Sequence, residues 1–139
     1  MENKKSAGGI IFREEKGVLK YLLLHYTAGH WDFPKGNIER NESLKETTRR
    51  EIGEETGIFK INFIPGFKES IEYFYKLKDK KIFKTVTFFL VKTETVKVKI
   101  SWEHQSYKWL SYQKALEQLT FKNAKEVLKK AHKFLLKKC

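Results

Sequence analysis

Cysteine is nearly missing from this 139-residue chain: the one thiol is Cys139, at the last position. A lone thiol closes no internal disulfide and builds no cysteine-based zinc site, so a reducing compartment, the cytoplasm, is the expectation. Proline is almost as scarce. Pro34 and Pro65 are the two, and both fall between periodic segments, where loops belong. No apolar run approaches the roughly 18 residues of a membrane span, and the charged stretch Met1 to Lys5 is followed by no apolar one. Neither a membrane span nor a signal peptide is therefore expected. Repeats and low-complexity linkers are also lacking. Acids are outnumbered, 17 against 29 Lys plus Arg, which leaves a formal net charge of +12. What is present suffices for a core: 40% of residues are hydrophobic, which excludes global disorder. The length sets the expectation of one domain, residues 1–139.

A surplus of positive charge this large on a small domain points to polyanionic partners such as phosphates, nucleotides or nucleic acid. It is unevenly placed. Seven lysines against one acid, Glu126, between Lys122 and Cys139 account for half of it. Between Gly36 and Ile58 the sign reverses, with six glutamates (39, 42, 46, 51, 54 and 55) against Arg40, Lys45, Arg49 and Arg50. An acidic island in a basic protein requires a physical reason.

Apolar periodicity predicts strands mixed with two or three helices. Ala7 to Arg13 and Val18 to Tyr26, separated by Gly17, read as a hairpin. Phe59 to Phe67 is less regular and extended. Ser70 to Leu77 and Ile82 to Lys92 form a second hairpin around Lys78-Asp79-Lys80-Lys81. Val96 to Ile100 alternates strictly and reads as a half-buried strand, and Gln105 to Leu110 as a further short one. Ser43 and Glu46 have capping-box spacing and Gly57 suits a left-handed C′ position, which brackets a helix from Leu44 to Thr56. A short helix follows Ser111. In the last helix Ala124, Val127, Leu128, Ala131, Phe134 and Leu135 form one apolar stripe, and Asn123 with Glu126 repeats the cap signal. The irregular order indicates α+β rather than repeated βαβ units.

Glu51, Glu54 and Glu55 stand at i, i+3 and i+4, which places all three carboxylates on one helix face with Cβ atoms roughly 5–6 Å apart. Like charges so close destabilise a helix, and acids near its C-terminal end also oppose its dipole. A hard divalent cation removes the conflict, because Mg²⁺ takes oxygen ligands and bridges carboxylates to phosphates. From the triplet alone, a solvent-exposed Glu-rich helix is an equal alternative.

The flanking residues decide between the two. Gly36, five residues, Glu42, seven residues, then Arg50-Glu51-Ile52-Gly53-Glu54-Glu55-Thr56-Gly57-Ile58 fill every fixed position of the Nudix box. The stretch 36–58 resembles that family's loop–helix–loop signature in full. The resemblance implies an α/β/α sandwich with a mixed β-sheet, a catalytic loop–helix–loop and a C-terminal helix. It also implies a Mg²⁺-dependent pyrophosphohydrolase, with Mn²⁺ as a substitute ion, acting on a nucleoside diphosphate linked to another group. Glu51, Glu54 and Glu55 would supply metal carboxylates and Gly36 a backbone carbonyl, while Arg50 would hold one of the acids in place. The general base stays open between a box glutamate and an acid from a distant loop.

Gly29-His30-Trp31-Asp32-Phe33-Pro34-Lys35-Gly36, Gly66-Phe67-Lys68, Lys84-Thr85-Val86 and Trp102 to Leu110 together look like the asymmetric diadenosine tetraphosphate hydrolases, which yield ATP and AMP. That similarity implies phosphate contacts for His30, Lys35 and Lys84, and base stacking for Tyr73 and Phe121. Glu103 matches an acid that binds metal or helps activate water. Each has a plainer alternative: Tyr73 as core, Phe121 as packing before the last helix, His30 as an ordinary loop histidine. Trp102 and Trp109 read as core or rim packing, and His25, His104 and His132 have no ligand spacing. A monomer is expected, with a weak dimer as the alternative. The competing functions are removal of pyrophosphate from RNA 5′ ends or another nucleotide-sanitising Nudix activity, and, from another class, a non-catalytic nucleotide- or RNA-binding module.

Overall fold

The computed structural model describes residues 1–137. Lys138 and Cys139, the second of which is the single thiol, lie outside the described residues. Ten elements follow in order: β1 (Glu2–Glu15), β2 (Val18–Tyr26), β3 (Trp31–Asp32), β4 (Lys35–Asn37), α1 (Leu44–Thr56), β5 (Asn62–Leu77), β6 (Lys80–Lys92), β7 (His104–Ser111), α2 (Tyr112–Gln118) and α3 (Lys122–Lys137). The strands make one mixed sheet in the order β3-β2-β1-β6-β5, with β4 also paired to β1 and β7 to β2. β1 runs parallel to β6 from Glu2↔Ile82 to Phe12↔Lys92. The other pairings are antiparallel.

Alternation along the central strands builds a core on each face, because successive side chains point to opposite sides of a sheet. Ile10, Phe12, Tyr21 and Leu23 face α2 and α3 and meet Ala115, Leu119, Ala124, Val127, Leu128 and Ala131. Ile11, Leu22 and Leu24 face α1 and meet Ile52, Ile58 and Val98. The result is the expected α/β/α sandwich. Among the described residues no helix is long and apolar enough to cross a membrane.

α1 begins and ends where its caps dictate. Ser43 accepts from the Glu46 N–H while the Glu46 side chain accepts from the Ser43 N–H, and Gly57 closes the helix at φ 72°. Lys78 and Asp79 both have positive φ, which makes a tight turn between β5 and β6, so the hairpin starts its return at Lys80.

Three expectations need correction. Val96 to Ile100 is not a strand: the Lys99 N–H donates to Thr56 O at the end of α1, and the Trp109 indole N–H takes Val96 O. Those backbone groups satisfy a helix terminus and a side chain instead of a ladder, and Val96 is left exposed. α3 starts at Lys122, with Phe121 O accepting from the Lys125 N–H, so Asn123 is inside the helix rather than capping it. Trp102 is not packing at all, since it is 87% exposed. Trp109 does pack, against the α1-side core. The short β3 and β4 carry no periodicity, so the sequence pattern does not predict them.

Candidate active site

α1 lies across β1 where Gly9 lets it come close. A Cβ on Gly9 would meet Ile52 Cδ1 at 2.7 Å. β4 pairs with the same stretch of β1, Ala7↔Gly36 and Gly8↔Lys35, and this carries the loop before α1 under the helix's acidic face. The approach at Gly36 is closer still: a Cβ there would lie 2.1 Å from Glu51 Cδ, so only glycine leaves room for that carboxylate.

Arg50 organises the outer acids. Its guanidinium donates to Glu42 Oε2 (2.7 Å), Glu51 Oε2 (2.6 Å), Glu54 Oε1 (2.9 Å) and the Asn37 carbonyl (3.0 Å). The Arg50 side chain and the Glu39 N–H hold the Glu42 carboxyl down to about 2. Glu42 also accepts from Thr47 Oγ1 at 2.8 Å. Glu54 is mostly exposed and turned to Arg50.

Glu55 is the buried member, at 4% exposure. Its Oε1 lies 3.2 Å from Tyr26 Oη and 3.1 Å from His104 Nε2, the latter misaligned for a hydrogen bond. Tyr26 also donates to the Phe33 carbonyl at 2.8 Å. A phenol has one proton, so when Phe33 takes it, a protonated Glu55 completes the contact. Burial pushes Glu55 up to about 7, with the Glu103 charge adding to it. Glu51 is likewise pushed up to about 7, by burial first and by its hydrogen bond with Glu55 next, against the pull of Arg50. Burial is also the main cause that raises Tyr26, with Glu55 second.

This donor set fits a hard cation. Glu55 Oε2 is buried without a well-aligned hydrogen-bond partner, and the adjacent Glu51 carboxyl is pushed up to about 7. A divalent ion with oxygen ligands would relieve both conditions. Among the described residues, however, no three His, Cys, Asp or Glu side chains are gathered as an ion site, because Arg50 draws Glu51 and Glu54 to itself. Glu103 is exposed on the turn beside Glu55, its carbonyl accepting from the Thr27 N–H at 2.9 Å.

On the α3 side a cavity of about 470 Å³ is lined by His30, Asp32, Lys35, Ile71, Tyr73, Phe121, Asn123 and Ala124, within the usual range for small-molecule sites. It unites four of the five expected substrate residues. Mutual bonds of Trp31 and Thr120 bring Phe121 to His30: Trp31 N–H donates to Thr120 Oγ1 at 2.8 Å, and Thr120 N–H to Trp31 O at 3.3 Å. Lys35 Nζ pairs with buried Asp32 at 2.8 Å. Burial works against the Lys35 charge, but the Asp32 carboxylate outweighs it and the net shift is upward. The fifth residue, Lys84, is directly opposite Tyr73 on β5–β6 and opposite Lys4 on β1–β6. Its pKa is lowered by burial, then by the Lys35 and Lys4 charges. Burial also lowers His30, opposed by Asp32.

Sequence reasoning missed Asp32, Tyr26, Lys4 and the placement of His104. Asp32 stands inside the Gly29 to Gly36 stretch, and its spacing to Lys35 was a usable signal; the other three are assembled only by strand pairing. His132 is structural, with Nδ1 2.7 Å from Tyr21 Oη and its ring stacked on Tyr112. His25 stacks on Trp31.

Comparison with known proteins agrees with this fold. The NUDIX domain family matches residues 2–131. The asymmetrical bis(5'-nucleosyl)-tetraphosphatase of Mus musculus is 36% identical, over 94% of this chain and 95% of its own. An RNA pyrophosphohydrolase of a Nitratiruptor species is 36% identical over 66% of this chain and 64% of its own. The crystal structure of a C. elegans Ap4A hydrolase binary complex superposes with a TM-score of 0.85 at 30% identity, covering 96% of this chain and 98% of that one. With a complete box, the sandwich that positions it and this match over nearly its whole length, the chain belongs to the Nudix family.

Proposed function

We propose that this protein is an asymmetrical dinucleoside tetraphosphatase, hydrolysing diadenosine tetraphosphate to ATP and AMP. The observation that carries the reading is a paired arrangement: a ring-lined cavity with Lys35 and His30 in its wall, and Lys35 itself within electrostatic reach of Glu55, the buried carboxyl next to Glu51. One base lies between Tyr73 and Phe121, and stacking on an aromatic ring is worth roughly 1–3 kcal/mol. His30, Lys35 and Lys84 take the phosphate run, with Asp32 fixing the Lys35 ammonium in place. Tyr26 and His104 orient Glu55, and Arg50 orients Glu51 and Glu54. Glu51, Glu54, Glu55, the Gly36 carbonyl and Glu103 would hold a divalent ion, Mg²⁺ or Mn²⁺ in its place, which would supply phosphate charge neutralisation and a more acidic water. The proton released by the attacking water goes to a carboxylate of this cluster. On the same reading residues 1–139 act as one unit, a monomer at work in the cytoplasm.

Purified protein with Mg²⁺ is expected to release ATP and AMP from diadenosine tetraphosphate, with label from H₂¹⁸O in AMP. Formation of ADP as the main product overturns the reading. A second reading, pyrophosphate removal from RNA 5′ ends, is favoured by the likeness to an RNA pyrophosphohydrolase and by the basic surface; preferential turnover of triphosphorylated RNA in direct competition establishes it. Salt-dependent RNA binding without any hydrolysis would instead mark a non-catalytic module.

A further inference from the structure

We propose that Trp102 is the stacking platform for the second nucleoside of the substrate, the one joined to the phosphorus under attack; the inference rests on the dinucleoside polyphosphate reading above. Four rings form a row across the site. Phe121 is 5.3 Å from His30, His30 stacks on Tyr26 at 4.6 Å, and Tyr26 meets the edge of His104 at 4.4 Å. The cavity is at the Phe121 end. Glu55 touches the other half of the row, at Tyr26 Oη and His104 Nε2. Beyond His104 the chain is the Trp102–Glu103 turn.

That turn is anchored. Thr27 N–H donates to Glu103 O (2.9 Å), Ser101 Oγ bonds His104 Nδ1 (3.0 Å), and Gln105 Nε2 donates to Tyr26 O (3.1 Å). Its indole is nevertheless 87% exposed, and among the described residues no ring stacks on it and no cation lies over it. A large flat apolar surface held in water on a fixed turn beside carboxylates is matched by a flat partner such as a nucleobase.

The placement of charge says which base. His30 and Lys35 are in the cavity wall and Lys84 pairs with Tyr73 beside it, whereas Ser101 to Ser106 contains Glu103 and no lysine or arginine. A phosphate chain cut off-centre places its long arm over the cations. The short arm, one phosphate and its nucleoside, falls toward the turn that carries Trp102.

The test uses the full chain. Trp102→Ala is expected to raise KM for diadenosine tetraphosphate about five- to hundredfold, with Trp102→Phe restoring it to within about threefold. The KM advantage of diadenosine tetraphosphate over adenosine 5′-tetraphosphate, which lacks the second base, collapses in Trp102→Ala. A non-hydrolysable diadenosine tetraphosphate analogue quenches tryptophan fluorescence in the wild type, and Trp102→Phe removes that share of the quench. Cleavage with an unchanged KM in Trp102→Ala and no Trp102 quench overturns the inference alone. A wild type that cleaves no dinucleoside polyphosphate overturns the reading and the inference together.

Discussion

A carboxyl buried as Glu55 is resists ionisation, and the neighbouring Glu51 shares its condition. Both are pushed up to about 7, above the ordinary 4.5. The folded state therefore binds more protons than the unfolded chain between those values, and stability falls as pH rises from about 4.5 through 7. Glu55→Gln keeps the shape and removes the ionisation. With a chelator present, its Tm is expected to exceed the wild type's by roughly 4 °C or more at pH 8, with the difference gone by pH 4.5; thermal melts across that range check it. The same variant is expected to lose at least about a hundredfold in turnover while its circular dichroism stays native. Gly36→Ala argues the geometry separately. Its methyl group would occupy the space of the Glu51 carboxylate, and because that is the end of a flexible side chain, the backbone need not move. Activity should fall more than about tenfold with little change in Tm.

At the scale of elements, α1 carries its acids against its own dipole and has no basic residue in its last turn. Its ends are correspondingly well held. Ser43→Ala removes the side-chain half of the capping box and is expected to cost about 1 kcal/mol, read as a lower Tm. Gly57→Ala is expected to cost as much or more, since an L residue at φ 72° is strained and its Cβ would press on Lys99 Cβ at 3.3 Å. The Lys99 N–H, which donates to Thr56 O at 2.9 Å, ties the helix end to the 96–100 segment. Strict alternation in Val96-Lys97-Val98-Lys99-Ile100 is right about burial at Val98, wrong at Val96, which is exposed, and misleading about pairing. Periodicity does not record which backbone groups find a strand partner, and without that partner the coverage of a face is not assured either.

Across the whole molecule, the +12 net charge surrounds a small acidic island, and the lysines of α3 lie mainly on its exposed face. Such a field concentrates anionic substrate at range and is screened by salt. For diadenosine tetraphosphate, kcat/KM is expected to fall about tenfold between roughly 50 and 500 mM NaCl, with kcat little changed. Replacing Lys129, Lys133 and Lys137 together by Gln should flatten that dependence. Stopped-flow or steady-state assays over a salt series check both.

Much of the site could be read from the chain alone, for a local reason. A helix fixes geometry through bonds between residues four apart, so the i, i+3, i+4 spacing of Glu51, Glu54 and Glu55, the Ser43–Glu46 cap and the Gly57 stop already placed three carboxylates on one helix face, though not that Arg50 would draw Glu51 and Glu54 to itself. The box then supplied Gly36, Glu42 and Arg50. Tertiary structure decided everything that depends on strand register. It set Tyr26 and His104 against Glu55, Lys4 beside Lys84, and Phe121 against His30, all pairs brought together by β-sheet pairing and loop closure rather than by spacing. It also left Trp102 in water on a tethered turn, which no pattern of neighbours in the sequence could specify.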